Sequence, residues 1–145
     1  MSRVSFVLLV AGAAFGAETV LDRYVKEPDP SYKWSFESQQ RVSGTTISLL
    51  DLTSQTWRTA AEVDKPVWKH WVQVYKPDQL KSSDTALLFI SGGNNRGNKP
   101  GVEGILLAVA KDAGLPVVEL RTIPSEPLTF AGEKKSRNED GIIAY

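Results

Sequence analysis

Between Tyr32 and Tyr75 the chain alternates apolar and polar residues with a period of two. Tyr32, Trp34 and Phe36 stand against Ser31, Lys33 and Ser35, and Trp68, His70, Val72 and Val74 against Lys69, Trp71, Gln73 and Tyr75. Successive side chains of a strand point to opposite faces, so these segments predict half-buried strands over Tyr32–Glu37 and Trp68–Tyr75. Ile47–Thr53 predicts another, with a change of phase between Leu49 and Leu50 that calls for a bulge or for burial on both faces. Strands this close in sequence favour an antiparallel meander.

From Thr85 the pattern changes. Thr85–Ile90 reads as a buried strand that runs into the polar turn Ser91-Gly92-Gly93-Asn94-Asn95. Val102, Ile105, Leu106, Val109 and Ala113 then fall on one stripe and predict a helix over about Gly101–Ala113. Gly114 can close it in the left-handed conformation, and Pro116 bars its extension. Val117–Ile123 is the next strand, stopped by Pro124. A strand, helix, strand crossover is parallel and right-handed in nearly all α/β proteins. The expected fold class is therefore α/β, with a mixed sheet whose antiparallel opening is followed by one parallel crossover.

The flanks carry less pattern. Glu18–Val25 predicts a short helix that docks through Val20, Leu21, Tyr24 and Val25, and Pro127–Arg137 reads as a polar surface passage. At the end, Asn138 is a candidate N-cap, Glu139 and Asp140 suit the positive end of a helix, and Ile142 and Ile143 begin an apolar face. One helical turn does not meet its nucleation cost without packing. The expectation is that residues 18–145 are the N-terminal part of a longer, truncated domain.

Composition narrows the chemistry. Lys plus Arg and Asp plus Glu both number 17, so no basic excess draws the chain to nucleic acid. Cysteine is absent and histidine occurs once, which excludes disulfides, thiolate chemistry and the usual zinc sites; no cofactor is implied. Residues 1–17 read as a secretory signal: Arg3, an apolar run over Val4–Val10, then small residues to Ala17. That run is shorter than the roughly 20 apolar residues of a membrane span. A secreted or periplasmic protein with no membrane span is expected.

Ligands in α/β sheets sit where a parallel strand ends, which makes Ser91–Asn95 the first candidate. A dinucleotide fingerprint fails because Asn94 stands where its second glycine belongs, although Glu119 lies near the distance of a ribose-binding acid. A phosphate loop fails because Gly97-Asn98-Lys99-Pro100 lacks the Gly-Lys-Ser/Thr sequence. The surviving chemical reading is an oxyanion hole at Gly93 and Asn94. Its competitor is a glycine turn that needs only positive φ, and the turn alone favours that competitor. His70 is a candidate general base, outweighed by a buried strand histidine with no Ser or Asp locally tied to it. Trp57, Trp68 and Trp71 read as packing.

Several spaced motifs then agree in order. Leu21–Val25, Pro28-Asp29, Tyr32–Trp34, Leu52–Trp57, Pro66–Trp71, Phe89–Asn94, Ile123-Pro124 with Pro127-Leu128, and Arg137–Asp140 resemble the PhoPQ-activated pathogenicity-related protein family. The resemblance implies an exported, partial α/β-hydrolase-like fold and, in longer members, hydrolysis of ester or amide bonds. Ser125 and Glu126 depart from a usual Asn-Gln, and Gly141 from a usual Ala. No G-x-S-x-G elbow occurs, and His70 precedes the turn, the wrong order for a triad histidine. Only Gly93 and Asn94 carry a role over, so the chain is expected to be inactive alone. A non-catalytic secreted interaction module, self-associating through an exposed sheet edge, and a gene fragment are the alternatives.

Overall fold

The computed structural model describes residues 17–95 and 97–144. The expected signal segment lies outside the described residues, apart from Ala17. A five-stranded mixed sheet organises the molecule, in the order β1-β2-β3-β5-β4. β1 (Lys33–Val42), β2 (Thr45–Thr56) and β3 (Val67–Pro77) form the expected antiparallel meander, each strand longer than its alternation predicts. β4 (Leu87–Ile90) and β5 (Val117–Leu120) are parallel, joined by the helix α2 (Gly104–Ala113), while β5 pairs antiparallel with β3. α1 (Val20–Lys26) and the five-residue α3 (Glu139–Ile143) flank the sheet.

Two clusters hold the fold. Leu106 and Ala110 of α2 cover Ile47, Tyr75 and Val117, one residue from each of the three central strands. Burying such side chains stabilises by about 1.5 to 3 kcal/mol each. The helix starts at Gly104 rather than Gly101, and Ile105, expected on its buried stripe, is exposed. At the other end of the sheet Val63, Leu128, Phe130 and Ile142 form a second cluster with Trp57 and Trp68 packed against it. The passage after Pro127 is thus not a polar surface loop, because Leu128 and Phe130 are buried.

The phase change predicted near Leu49 and Leu50 is met in the neighbouring strand. Glu37 is the extra residue, between Phe36 opposite Leu50 and Ser38 opposite Leu49. Before this bulge Trp34 and Phe36 lie on the face remote from α2; after it Ser38, Gln40 and Val42 lie on the α2 face. A second bulge falls in β2, where Ser54 has no opposite residue between Thr53, facing Lys69, and Gln55, facing Trp68.

Three expectations of burial fail together. Trp34 and Phe36 of β1 are exposed, as is every residue of β4, which is an edge strand rather than a buried one. Alternation says which face a side chain takes, not whether anything covers that face. Trp34, Phe36, Leu88 and Ile90 share the face remote from α2 with the half-buried Leu50, Leu52, Val72, Val74, Val118 and Leu120. α1 keeps a capping box between Thr19 and Asp22, yet Val20, Leu21 and Val25 remain exposed, so its apolar face is not docked. In α3, Asn138 occupies the N-cap position without a side-chain bond; the Glu139 N–H instead donates to Glu126.

The end of α2 is sharply specified. Gly114 has φ 65° and ψ 34°, the left-handed conformation expected from sequence, and its N–H donates to Ala110 at 3.0 Å. A Cβ there would come 2.7 Å from Lys81 Cγ. Lys81 is itself pinned, its N–H donating to the Gly114 carbonyl at 2.8 Å and its Nζ to the Asp112 carbonyl at 2.9 Å. Gly114→Ala is therefore expected to cost about 1–2 kcal/mol, read as a lower urea midpoint with an unchanged slope.

Candidate functional site

The turn after β4 is fastened from below. The Ser91 N–H donates to Leu120 at 2.9 Å, the Gly92 carbonyl accepts from Thr122 N at 3.2 Å, and the Ser91 carbonyl from Ile123 N at 3.2 Å. The first bond continues the parallel ladder one step past the strands, and the other two depart from its register and tie the turn to Thr122 and Ile123. Gly93 has φ 141°, the positive value that the turn reading requires, and a Cβ there would sit 3.5 Å from Thr122 Oγ1. Gly93 and Asn94 are exposed, and among the described residues the Gly93 N–H has no backbone hydrogen-bond partner.

Asn95, the last residue of the candidate turn and given no role of its own by the sequence, anchors it. Its amide nitrogen donates to the carbonyls of Ser125 and Pro127 at 3.3 and 3.0 Å, and its Oδ1 accepts from Lys65 Nζ at 2.8 Å. Asn94 is exposed and forms an isolated parallel bridge with Glu126, while the Asn95 side chain reaches back into the fold. Beneath the turn Ser91 Oγ donates to Glu119 Oε1 at 2.9 Å. Glu119 is buried, with Arg121 Nε 3.7 Å from the same oxygen, so it braces the turn and is not presented to a ribose.

A small cavity of about 170 Å³ opens beside the turn, with Asn94, Asn95 and Gly97 on one wall and His70, Trp71 and Thr122 on the other. Two sequence candidates, Asn94 and His70, thus meet at one hollow although 24 residues separate them. Trp57 and Trp68 are packing residues as expected, with ring centroids 5.4 Å apart, and Trp71 lies under Lys99 Nζ at 5.7 Å. Among the described residues no group of three or more His, Asp or Glu is placed to hold a metal.

His70 differs from the sequence expectation in one respect. It is buried, at 3% exposure, but a serine is tied to it: Ser54 Oγ lies 2.7 Å from Nε2. The bulge in β2 delivers that hydroxyl, which period-two alternation does not reveal. Nδ1 lies 3.1 Å from the Arg121 carbonyl and 3.0 Å from the Thr122 carbonyl. Burial lowers the His70 pKa below its ordinary 6.5, against the opposite pull of those two carbonyls. The ring is neutral at physiological pH.

The sequence model of the PhoPQ-activated pathogenicity-related protein family matches residues 21–145. The chain belongs to this family. It is also similar to Autocrine proliferation repressor protein A of Dictyostelium discoideum, at 35% identity over 146 residues. That alignment covers 100% of this chain and 29% of the repressor, so the chain spans less than a third of its relative's length. No solved structure matches the chain. Two of the motifs that carry the family resemblance converge on the site: Pro66–Trp71 leads into β3 and brings His70, and Phe89–Asn94 leaves β4 and forms the turn.

Proposed function

We propose that this family member is the opening part of an exported α/β-hydrolase-like domain, whose Gly93–Asn94 turn is one half of an oxyanion hole for hydrolysis of ester or amide bonds. The observation that carries this reading is the position of the turn. The Gly93 N–H, which among the described residues has no backbone partner, and the exposed Asn94 stand at the carboxyl end of a parallel strand whose outer edge no described strand covers. Backbone donors at that place are suited to the charge that develops on a carbonyl oxygen during acyl transfer. The nucleophile of such a site stands on an elbow after the neighbouring strand, and no G-x-S-x-G occurs in these residues. The bare sheet face and the open β4 edge are where a further strand and its helix would fit. The chain alone then has no cycle for turning over an ester. With p-nitrophenyl esters in large excess, released product should stop at or below one equivalent of protein. Continued turnover that Asn94→Ala removes would sink the reading.

A second reading is a secreted interaction module without catalysis. It is favoured by the apolar β4 edge, which offers unpaired backbone groups to another strand, and by the relative's name as a proliferation repressor. Sedimentation velocity separates the two: concentration-dependent association supports the module, and a monomer at all concentrations removes self-pairing through β4.

A further inference from the structure

Ser54 is the extra residue of the β2 bulge, and bulges turn a side chain out of the regular alternation. Its hydroxyl meets the ring of His70 at 2.7 Å. Carbonyl oxygens only accept, so the carbonyls of Arg121 and Thr122 place the ring proton on Nδ1. Nε2 is then a lone pair, and Ser54 O–H donates to it. A hydroxyl, an imidazole and an acceptor that fixes the imidazole tautomer stand in the order that activates a serine.

The other side of Ser54 opens on a groove of about 690 Å³, walled by Tyr24 and Val25 of α1 and by Pro28 and Tyr32. This groove is separate from the smaller cavity that the Gly93–Asn94 turn borders. Gln55, on the same wall as Ser54, accepts from the Tyr24 hydroxyl at 2.9 Å through Oε1. That bond orients its side chain, and among the described residues its amide nitrogen has no partner.

We propose that Ser54 is an activated nucleophile that accepts an acyl or phosphonyl group from an activated ester bound in this groove, with His70 as the base. With a carboxylic ester the Oγ–carbon bond forms and the bond to the leaving oxygen breaks; with a fluorophosphonate the Oγ–phosphorus bond forms and the phosphorus–fluorine bond breaks, fluoride leaving with the proton. The Oγ proton passes to Nε2 and then to the leaving alcohol, returning His70 to its neutral form, so ester and serine give acyl-serine and alcohol. The Gln55 amide donates to the carbonyl oxygen as it gains charge. The leaving oxygen meets Nε2 because it is tethered in the same adduct, whereas a hydrolytic water has to diffuse to a ring that is 3% exposed, so deacylation is slower than acylation and the adduct accumulates. This inference does not rest on the oxyanion reading of the turn.

The test uses the whole purified chain, a fluorophosphonate probe and p-nitrophenyl acetate, read by intact mass and peptide mapping. One adduct per chain, on Ser54, is expected, with a matching one-equivalent burst of p-nitrophenolate. Ser54→Ala should abolish it, His70→Gln should slow it by about a hundredfold, and Ser38→Ala, on the exposed part of β1, should react as the parent does. Unfolding the parent in urea should also abolish it. No adduct, an adduct elsewhere, or equal labelling of folded and unfolded chain overturns the proposal, and mapping on the unsubstituted protein decides this even if a variant fails to fold.

Discussion

Tyr75→Ala is expected to cost about 3–5 kcal/mol, the largest loss from any single truncation in this fold. Tyr75 is fully buried at the centre of the α2 cluster, between Ile47, Leu106, Ala110 and Val117. Its ring fills that space, and its hydroxyl does a second job. It accepts from the Glu103 N–H at 3.0 Å and donates to Gln73 Oε1 at 3.2 Å, so it holds the start of α2 to β3. α2 has no side-chain cap of its own, which makes the Tyr75 hydroxyl the substitute. Tyr75→Phe keeps the ring and leaves a half-buried donor, the Glu103 N–H, and a buried acceptor, Gln73 Oε1, without this partner, an expected loss of about 1–3 kcal/mol. Urea unfolding of the two variants separates the packing contribution from the polar one. Equal losses would show that the ring contributes little, contrary to the arrangement described.

Acid is expected to weaken the fold through His70 in a window of its own. Burial holds its folded pKa below 6.5, so on lowering the pH the unfolded chain takes up a proton that the folded chain still refuses. More protons bound in the unfolded state means stability that falls as pH falls. The contribution is whole above about pH 7 and is lost from about 6.5 downward, with a slope of at most about 1.4 kcal/mol per pH unit for one proton. The exposed carboxylates of Asp22, Asp29, Glu37, Glu62, Asp84 and Glu133 have lowered pKa values through their hydrogen bonds, and their contributions fade only below about pH 4. With one histidine in the chain, loss of urea midpoint between pH 7.5 and 5.5 belongs to one side chain. His70→Gln should flatten it; a flat profile in the parent would contradict a buried neutral ring.

Local pattern and long-range placement were not equally legible. The meander followed from the period-two runs at Trp34 and Val72, and the parallel crossover from the apolar run, glycine turn and helical stripe between Leu87 and Leu120. What the pattern could not express was coverage. Leu87–Ile90 is as apolar as a central strand and stands at the edge, because among the described residues no strand pairs with its outer side. Leu128 and Phe130 are buried inside a segment whose composition is mostly polar, because two hydrophobic residues suffice to seal a small cluster against Trp57 and Trp68. The union of Ser54 with His70 had no signal at all. It depends on a bulge, a single unpaired residue that shifts a side chain across the strand, and nothing in the run Leu52–Trp57 announces where that residue falls.

The central claim is that the Gly93–Asn94 turn stands at the end of a strand whose outer edge no described strand covers, and hydrogen exchange in β4 tests it most directly. The N–H groups of Leu87 and Ser91 donate to the carbonyls of Pro116 and Leu120, so the alternate amides, Leu88 and Ile90, point away from β5. At neutral pH the Leu88 and Ile90 amides should exchange at nearly the rate of an unfolded chain, while the Leu87 amide and those of β5 directed at β3 stay protected. Protection of Leu88 and Ile90 equal to that of β5 would contradict the account, because it would mean that the edge is already paired.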